Sequence, residues 1–222
     1  MNRRYLIAVC ALLTLVELAE GAGRKRRNTR SRTVEPPFTA EAVNQPTFTG
    51  SEGFAILRAQ ILLDRAHFSP GEIDGKPGAN FERALRGFQT TRKLEASGAL
   101  DQPTWAALNA DTSPVVVPYR ITDVDAAGPF APLPGDMMEL AKMDRPGYAS
   151  LEEALGEMFH ASPGLLARMN PGVSMKAGQE ILVPNVLTAP SGKAARMVVT
   201  RAGVLTVYDT SGAVVAQYPC SS

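Results

Sequence analysis

The chain has 222 residues, of which 45% are hydrophobic and 20% charged, a globular composition with room for one to three small domains. Only 6% are aromatic, so a large aromatic stacking platform is excluded. The formal net charge of +1 is unevenly distributed, because residues 24–32 hold six cations and no acid. The residues from position 33 onward therefore carry a net negative charge, which argues against nucleic acid as a partner.

The first 22 residues predict a secretory signal peptide. Arg3 and Arg4 form a basic start, and residues 5–18 are an apolar run. This run is about 14 residues long, short of the ~20 that a helix needs to cross a bilayer. Small residues at Ala19 and Gly21 supply a cleavage site. We therefore expect export to the periplasm or cell envelope.

A disordered basic leader is expected over residues 23–50, because a block of like charges cannot bury itself. Coulomb attraction could bring this leader into weak contact with anionic lipids. Of the two cysteines, Cys10 lies within the signal peptide and Cys220 near the last residue. The mature chain would keep only Cys220, which excludes an internal disulfide.

Residues 51–110 predict a domain of three helices. Apolar side chains recur at helical spacing in the first helix and again at Phe81, Ala84, Leu85 and Phe88. Asp101 is placed to cap a third helix that has Pro103 in its first turn. Between the first two helices, the chain turns at residues 73–75.

This domain resembles a peptidoglycan-binding domain of the three-helix type. The resemblance rests on residues 73–75, Gly78, Phe88-Gln89, Gly98 and Thr104-Trp105. It implies peptidoglycan as the partner. Phe88 and Trp105 are expected to pack in the core, whereas the exposed groups at Asp74, Gly75 and Gln89 are the candidates to hydrogen-bond a muropeptide. A lone His67 is not expected to bind metal.

A Pro-rich linker is predicted over residues 111–135, although residues 115–121 are apolar enough to form a strand. Residues 136–188 follow as a strand–helix–helix–strand module. The first strand is expected at residues 137–143. Ser150 and Glu153 form an S-x-x-E capping box for the first helix, Ser162-Pro163 starts the second, and residues 181–184 form the closing strand.

The module resembles the LysM-like insert found before the catalytic domain in many L,D-transpeptidases. The resemblance rests on Phe159-His160, residues 169–172, Gly178 and residues 183–185. It implies a shallow groove for N-acetylglucosamine chains between residues 147–150 and residues 170–173. The binding candidates there are Tyr148, Ser150, Asn170 and Gly172, while His160 is expected to be a structural or surface residue.

Residues 194–222 predict three antiparallel strands with turns at residues 200–203 and 209–212. This meander resembles the start of the L,D-transpeptidase catalytic domain. Val198, Leu205, Val207, Val214 and Val215 are expected to form an apolar face that nothing covers, beside an open edge. We therefore expect an incomplete sheet, as in a chain truncated before the catalytic cysteine.

The sequence thus predicts a multi-domain α+β protein. The transpeptidase family uses a Ser/Thr-x-Gly-Cys-x-Arg segment with an upstream histidine, and Cys220 lacks that setting. No catalytic residue, metal or cofactor is therefore expected. The resemblance favours an exported peptidoglycan-binding protein, the non-catalytic front half of an L,D-transpeptidase-like enzyme. The alternative is part of an active transpeptidase that forms 3→3 cross-links, with its catalytic segment outside this chain.

Overall fold

A computed structural model of the chain describes residues 38–48, 53–132, 134–140, 142, 147–188 and 193–220. The predicted signal peptide and the six-cation segment lie outside these residues. Part of the predicted leader is described, however, and it is ordered. Helix α1 (Ala40–Asn44) is capped by Thr39, and both Phe38 and Val43 are buried. The prediction of a disordered leader is therefore wrong for residues 38–48.

The three predicted helices of the first domain are confirmed as α2 (Gly53–Arg65), α3 (Ala79–Thr91) and α4 (Gln102–Leu108). Asp101 caps α4 through its carboxylate, which accepts from Thr104 N at 2.9 Å. The apolar faces of these helices meet in one core, which includes Leu57, Ile61, Leu85, Phe88 and Trp105. Helical spacing of apolar residues was sufficient to locate these helices.

The second module contains β1 (Val116–Arg120), a 3-10 turn (Asp125–Ala127), α5 (Met137–Leu140), α6 (Leu151–Met158), α7 (Pro163–Met169) and β2 (Glu180–Pro184). Strand β1 pairs antiparallel with β2, so that Val117 lies opposite Val183. The strand predicted at residues 137–143 is wrong, because Met137–Leu140 is helical. The apolar stretch inside the predicted linker supplies the first strand instead.

Strands β3 (Arg196–Thr200), β4 (Val204–Tyr208) and β5 (Val214–Pro219) form the predicted antiparallel meander. The open edge expected for this sheet is partly covered, because β5 continues onto the first domain. Ser69 N donates to Gln217 O and Gln217 N donates to His67 O, each at 2.8 Å. The mixed α+β architecture is therefore confirmed, with the meander joined to the helices by backbone hydrogen bonds.

The two faces of the meander differ from the predicted arrangement. In the register, Val198, Thr206 and Gln217 form one row, and Val199, Leu205 and Tyr218 form the next. Successive residues of a strand point to opposite faces. Val198 therefore cannot share a face with Leu205, and its assignment to a common apolar face with Leu205 and Val207 is wrong.

Candidate binding site

The loop at Asp74 and Gly75 is held from within the protein. Gln60 Nε2 donates to Asp74 Oδ1 at 3.1 Å, and Gln60 Oε1 accepts from Gly75 N at 2.8 Å. Gly75 has φ +74°, and a Cβ atom there would lie 3.1 Å from the Phe38 ring, so this position requires glycine for its conformation and has little room. Gly75 is buried and Asp74 half-buried. The expectation that both groups are exposed is wrong.

Gln89 is also internal, with none of its surface exposed. Its Nε2 donates to Ala99 O and Thr104 Oγ1, each at 2.9 Å, and its Oε1 accepts from Gly98 N at 2.9 Å. The amide joins α3 to the loop before α4. The prediction that Gln89 is an exposed contact for a muropeptide is wrong, because its hydrogen bonds are used inside the fold.

Tyr148 and Ser150 precede α6. Tyr148 is 41% exposed, and its carbonyl accepts from Ala131 N at 3.1 Å. The serine cap is confirmed, since Ser150 Oγ accepts from Glu153 N at 3.2 Å. Glu153 reaches back as in a capping box, but its Oε2 accepts from Ala149 N at 2.6 Å, one residue before the cap. The Tyr148 ring therefore remains available to a ligand, while the Ser150 hydroxyl already has a structural partner.

Asn170 and Gly172 follow α7. The Asn170 side chain is buried, donates to Leu182 O at 2.8 Å and accepts from Leu182 N at 2.7 Å. It thereby ties α7 to β2. Gly172 is exposed and has φ +75° with open space around it. The predicted groove between residues 147–150 and 170–173 stays a prediction, and of its four candidate residues Tyr148 and Gly172 are exposed.

A cavity of about 720 Å³ lies where the three parts of the fold meet. The first domain contributes α2 and the loop that follows it, the second module contributes α6 and the turn to α7, and the meander contributes the end of β5. The polar groups with an ionisable side chain that line the cavity are Asp64, Glu72, Glu153, Glu157, His160 and Tyr218. Its volume is within the range of small-molecule sites, which occur preferentially at domain interfaces.

The carboxylate of Asp64 and the imidazole of His160 meet in this cavity. Their Oδ1 and Nδ1 atoms are 3.0 Å apart, and the Asp64 side chain is only 7% exposed. The hydrogen bond to Asp64 raises the pKa of His160; burial opposes this shift, and the negative charges of Asp64 and Glu157 add to it. The pair is therefore strongest when His160 is protonated.

Backbone hydrogen bonds position His160. Ile73 N donates to His160 O at 2.8 Å, and Ser162 N donates to Ile73 O at 2.9 Å. His160 has φ +52°, which directs the chain through the tight turn between α6 and α7. The completely buried Ile73 thus fixes the α6–α7 turn to the first domain.

Tyr218 brings the meander to the same cavity. Burial raises the pKa of Tyr218, and the negative charge of Asp64 raises it further. The tyrosine is 38% exposed. Its place is set by the hydrogen bonds between Gln217 and residues 67–69.

Sequence reasoning missed this cavity because its lining comes from three distant parts of the chain. His160 was interpreted as a structural or surface residue, and it is indeed paired with Asp64 and half exposed. The local sequence carries no signal that Asp64 and His160 meet. Within the described ranges, no group of three or more His, Cys, Asp or Glu side chains is arranged to hold a metal ion.

Comparison with known proteins bears on the first domain. Residues 53–108 match the family model of a putative peptidoglycan binding domain. No curated protein matches the chain. Across the part of the chain that the structure describes, no helix is long and apolar enough to span a membrane. The helical domain that contributes Asp64 to the cavity is thus similar to peptidoglycan-binding domains, which supports association with the cell wall.

Proposed function

We propose that this chain is an exported peptidoglycan-binding protein of the bacterial cell envelope, related to the non-catalytic front of L,D-transpeptidases. The observation that carries the proposal is the match of residues 53–108 to a peptidoglycan-binding family. The basic and apolar residues at the start of the sequence support export. A periplasmic or cell-wall location would place the protein beside its ligand.

The second module would add a contact to the glycan chain. Its strand–helix–helix–strand order supports the LysM-like interpretation, with β1 in place of the strand expected after the linker. Tyr148 offers an exposed ring that could pack on a sugar face, and Gly172 offers an exposed backbone in the predicted second loop at residues 170–173. Two weak contacts on one ligand would increase the overall affinity.

The test is sedimentation of the purified protein with isolated sacculi at moderate salt. The wild-type chain should sediment with sacculi, and Tyr148→Ala should do so several-fold less. Met138→Ala is a matched control, because Met138 is also a large exposed apolar residue, 71% accessible, but lies outside both loops. A wild-type protein that stays in the supernatant would refute the proposed function.

The alternative function is L,D-transpeptidation by a longer enzyme of which this chain is a part. The meander after the LysM-like module supports this alternative, because the catalytic domain of that family starts with similar hairpins. Cys220 is half-buried, and its backbone N–H donates to Gly203 O at 3.0 Å. We expect Cys220→Ser to leave cell-wall activity unchanged. Loss of 3→3 cross-link formation in this variant, measured by mass spectrometry of muropeptides, would instead identify Cys220 as the nucleophile.

A further inference from the structure

The cavity between the three parts of the fold is strongly acidic. Four carboxylates line it, from Asp64, Glu72, Glu153 and Glu157, and among the described lining residues there is neither lysine nor arginine. His160 is the one basic group in this lining, and it already contacts Asp64. Glu72 and Glu157 are exposed at the cavity and their side chains have no hydrogen-bond partner among the described residues. The site therefore favours a positively charged ligand.

Asp64 supplies a specific acceptor in addition to the general negative charge. Its side chain is 7% exposed, and its Oδ1 is engaged by His160. Its second oxygen, Oδ2, accepts no hydrogen bond from any described residue. Among the described residues this oxygen is not a buried atom without a partner. It is open to solvent, and an ammonium group that enters the cavity would take the place of water there.

The remaining lining explains how the ligand would be oriented. Ala161, Pro163 and Pro219 give the cavity apolar walls, and Tyr218 adds a ring with a hydroxyl. A charge–charge hydrogen bond is stronger beside such walls than in open water. The hydrogen bond to Asp64 raises the pKa of His160, and burial raises the pKa of Tyr218. The charge of Asp64 adds to both shifts, in keeping with a negative potential inside the cavity.

We propose that this cavity binds the primary ammonium group of a peptide, and that in the cell wall this group is the free side-chain amine of the diamino acid in the stem peptides. This inference rests on the proposed function, because it assigns the peptide part of peptidoglycan to a site formed by the peptidoglycan-binding domain and its neighbours. A divalent cation is a poorer candidate, since the described carboxylates are not grouped as metal ligands. An ammonium group needs only one or two acceptors and an apolar wall for its carbon chain.

The experiment uses soluble muropeptides released from sacculi by a muramidase, either intact or with their amines acetylated. Acetylation removes the positive charge and leaves the glycan unchanged. Calorimetric titration of the full-length protein should give an affinity about tenfold higher for the intact muropeptides, the size expected for one charge-assisted hydrogen bond. Equal affinity for the two preparations would overturn the inference.

Variants locate the effect in the cavity. Glu72→Gln and Glu157→Gln should each reduce the preference for intact over acetylated muropeptides by about threefold, and both side chains are exposed enough to be replaced without loss of folding. Glu152→Gln is the matched control, because Glu152 is an exposed acid on the same helix as Glu157 and does not line the cavity. A preference that survives in the Glu72→Gln/Glu157→Gln double variant would overturn the inference.

The outcome separates this inference from the proposed function. If the protein binds intact and acetylated muropeptides equally, the peptidoglycan-binding function stands and the ammonium site is refuted. If the protein neither sediments with sacculi nor binds either muropeptide preparation, the proposed function itself is refuted.

Discussion

At the scale of single residues, the Asp64–His160 contact links pH to the docking of the second module. His160 faces Asp64 of α2. The other ionisable groups around the same cavity are Glu153 and Glu157 of α6, Glu72 of the loop after α2, and Tyr218 of β5. Its folded-state pKa is raised above the ordinary value near 6.5. The contribution of His160 to stability is therefore complete below about pH 6.5 and is lost as pH rises through the higher folded-state pKa.

The free energy of unfolding should accordingly decline as pH rises above about 6.5, and His160→Asn should abolish this decline. Because 52% of the imidazole side chain is exposed, we expect this difference to be below about 1 kcal/mol. Urea titrations at several pH values measure it. His67→Asn is the matched control, since both histidines have positive φ, which asparagine tolerates. An unchanged pH slope in His160→Asn would refute the linkage.

Gln89 should contribute to folding rather than to binding. In Gln89→Leu, the N–H of Gly98 and the carbonyl of Ala99 would lose their buried partner. We expect the free energy of unfolding to fall by about 2–4 kcal/mol. Urea unfolding followed by fluorescence of Trp105, the only tryptophan, measures this loss. Glu95→Leu, an exposed change in the neighbouring loop, should have an effect within about 0.5 kcal/mol; equal effects of the two changes would contradict the structural role.

The residue scale also shows what a sequence can reveal. The cap formed by Ser150 and Glu153 was predictable, because all of its atoms lie within five residues of chain. The burial of Gln89 was not, because it depends on how the loop at residues 97–99 folds back over α3. Likewise, the meeting of Asp64 and His160, 96 positions apart, is a result of tertiary packing.

At the scale of elements, the turn between α6 and α7 depends on the absence of a side chain at Gly156. A Cβ atom there would lie 2.7 Å from the backbone oxygen of Ala161. Ala161 N also donates to Gly156 O at 2.8 Å, so the turn cannot easily move away. The cavity wall, the His160 position and the contact with Ile73 all depend on this turn.

We therefore expect Gly156→Ala to lower the free energy of unfolding by about 1–3 kcal/mol, although alanine has the higher helix propensity. Gly164→Ala is the matched control on α7, because a Cβ atom there has open space. It should leave stability unchanged or raise it by up to about 1 kcal/mol. Thermal and urea unfolding compare the two. Similar effects at both positions would mean that the turn adapts to the added methyl group.

The element scale explains the one wrong strand. Residues 137–143 contain three methionines and a leucine and were predicted as a strand, whereas Val116–Arg120 has prolines around it and one proline inside it. Proline is tolerated in a strand at a sheet edge, and β1 pairs on one side with β2. The proline content of residues 111–135 therefore predicted a linker, but this stretch contains β1, one strand of the two-stranded sheet.

At the scale of the whole molecule, the parts that the sequence suggests as separate modules are joined. The described residues from position 38 onward belong to one unit of the fold. Ile73 bridges to Ala161 in the second module, and Phe68 bridges to Gln217 in the meander. Arg168 Nη2 donates to Asp74 O at 2.8 Å and so adds a side-chain contact between α7 and the first domain. A flexible connector between independent binding modules does not describe this arrangement.

This docking predicts that the first, three-helix domain and the meander unfold cooperatively. Trp105 reports on the first domain, where it is buried, and a fluorophore on Cys220 reports on the end of the meander. In a Cys10→Ser chain, labelling would be confined to Cys220, since the sequence has two cysteines. The two probes should give coincident urea transitions, because β5 shares backbone hydrogen bonds with residues 67–69.

Separate transitions would instead mean that the meander unfolds from an intact helical domain. A proline substitution tests whether the backbone hydrogen bonds couple the meander to the first domain. Gln217→Pro removes the N–H that donates to His67 O at 2.8 Å. It should split the two transitions and lower the midpoint of the Cys220 probe more than that of Trp105. Ala213→Pro, in the exposed turn before β5, is the comparison, because it removes a different N–H, which donates to Asp209 Oδ1 at 3.0 Å within the hairpin and not to the first domain. Since Tyr218 and Pro219 line the cavity, the same loss of docking should also weaken the preference for ammonium-bearing muropeptides.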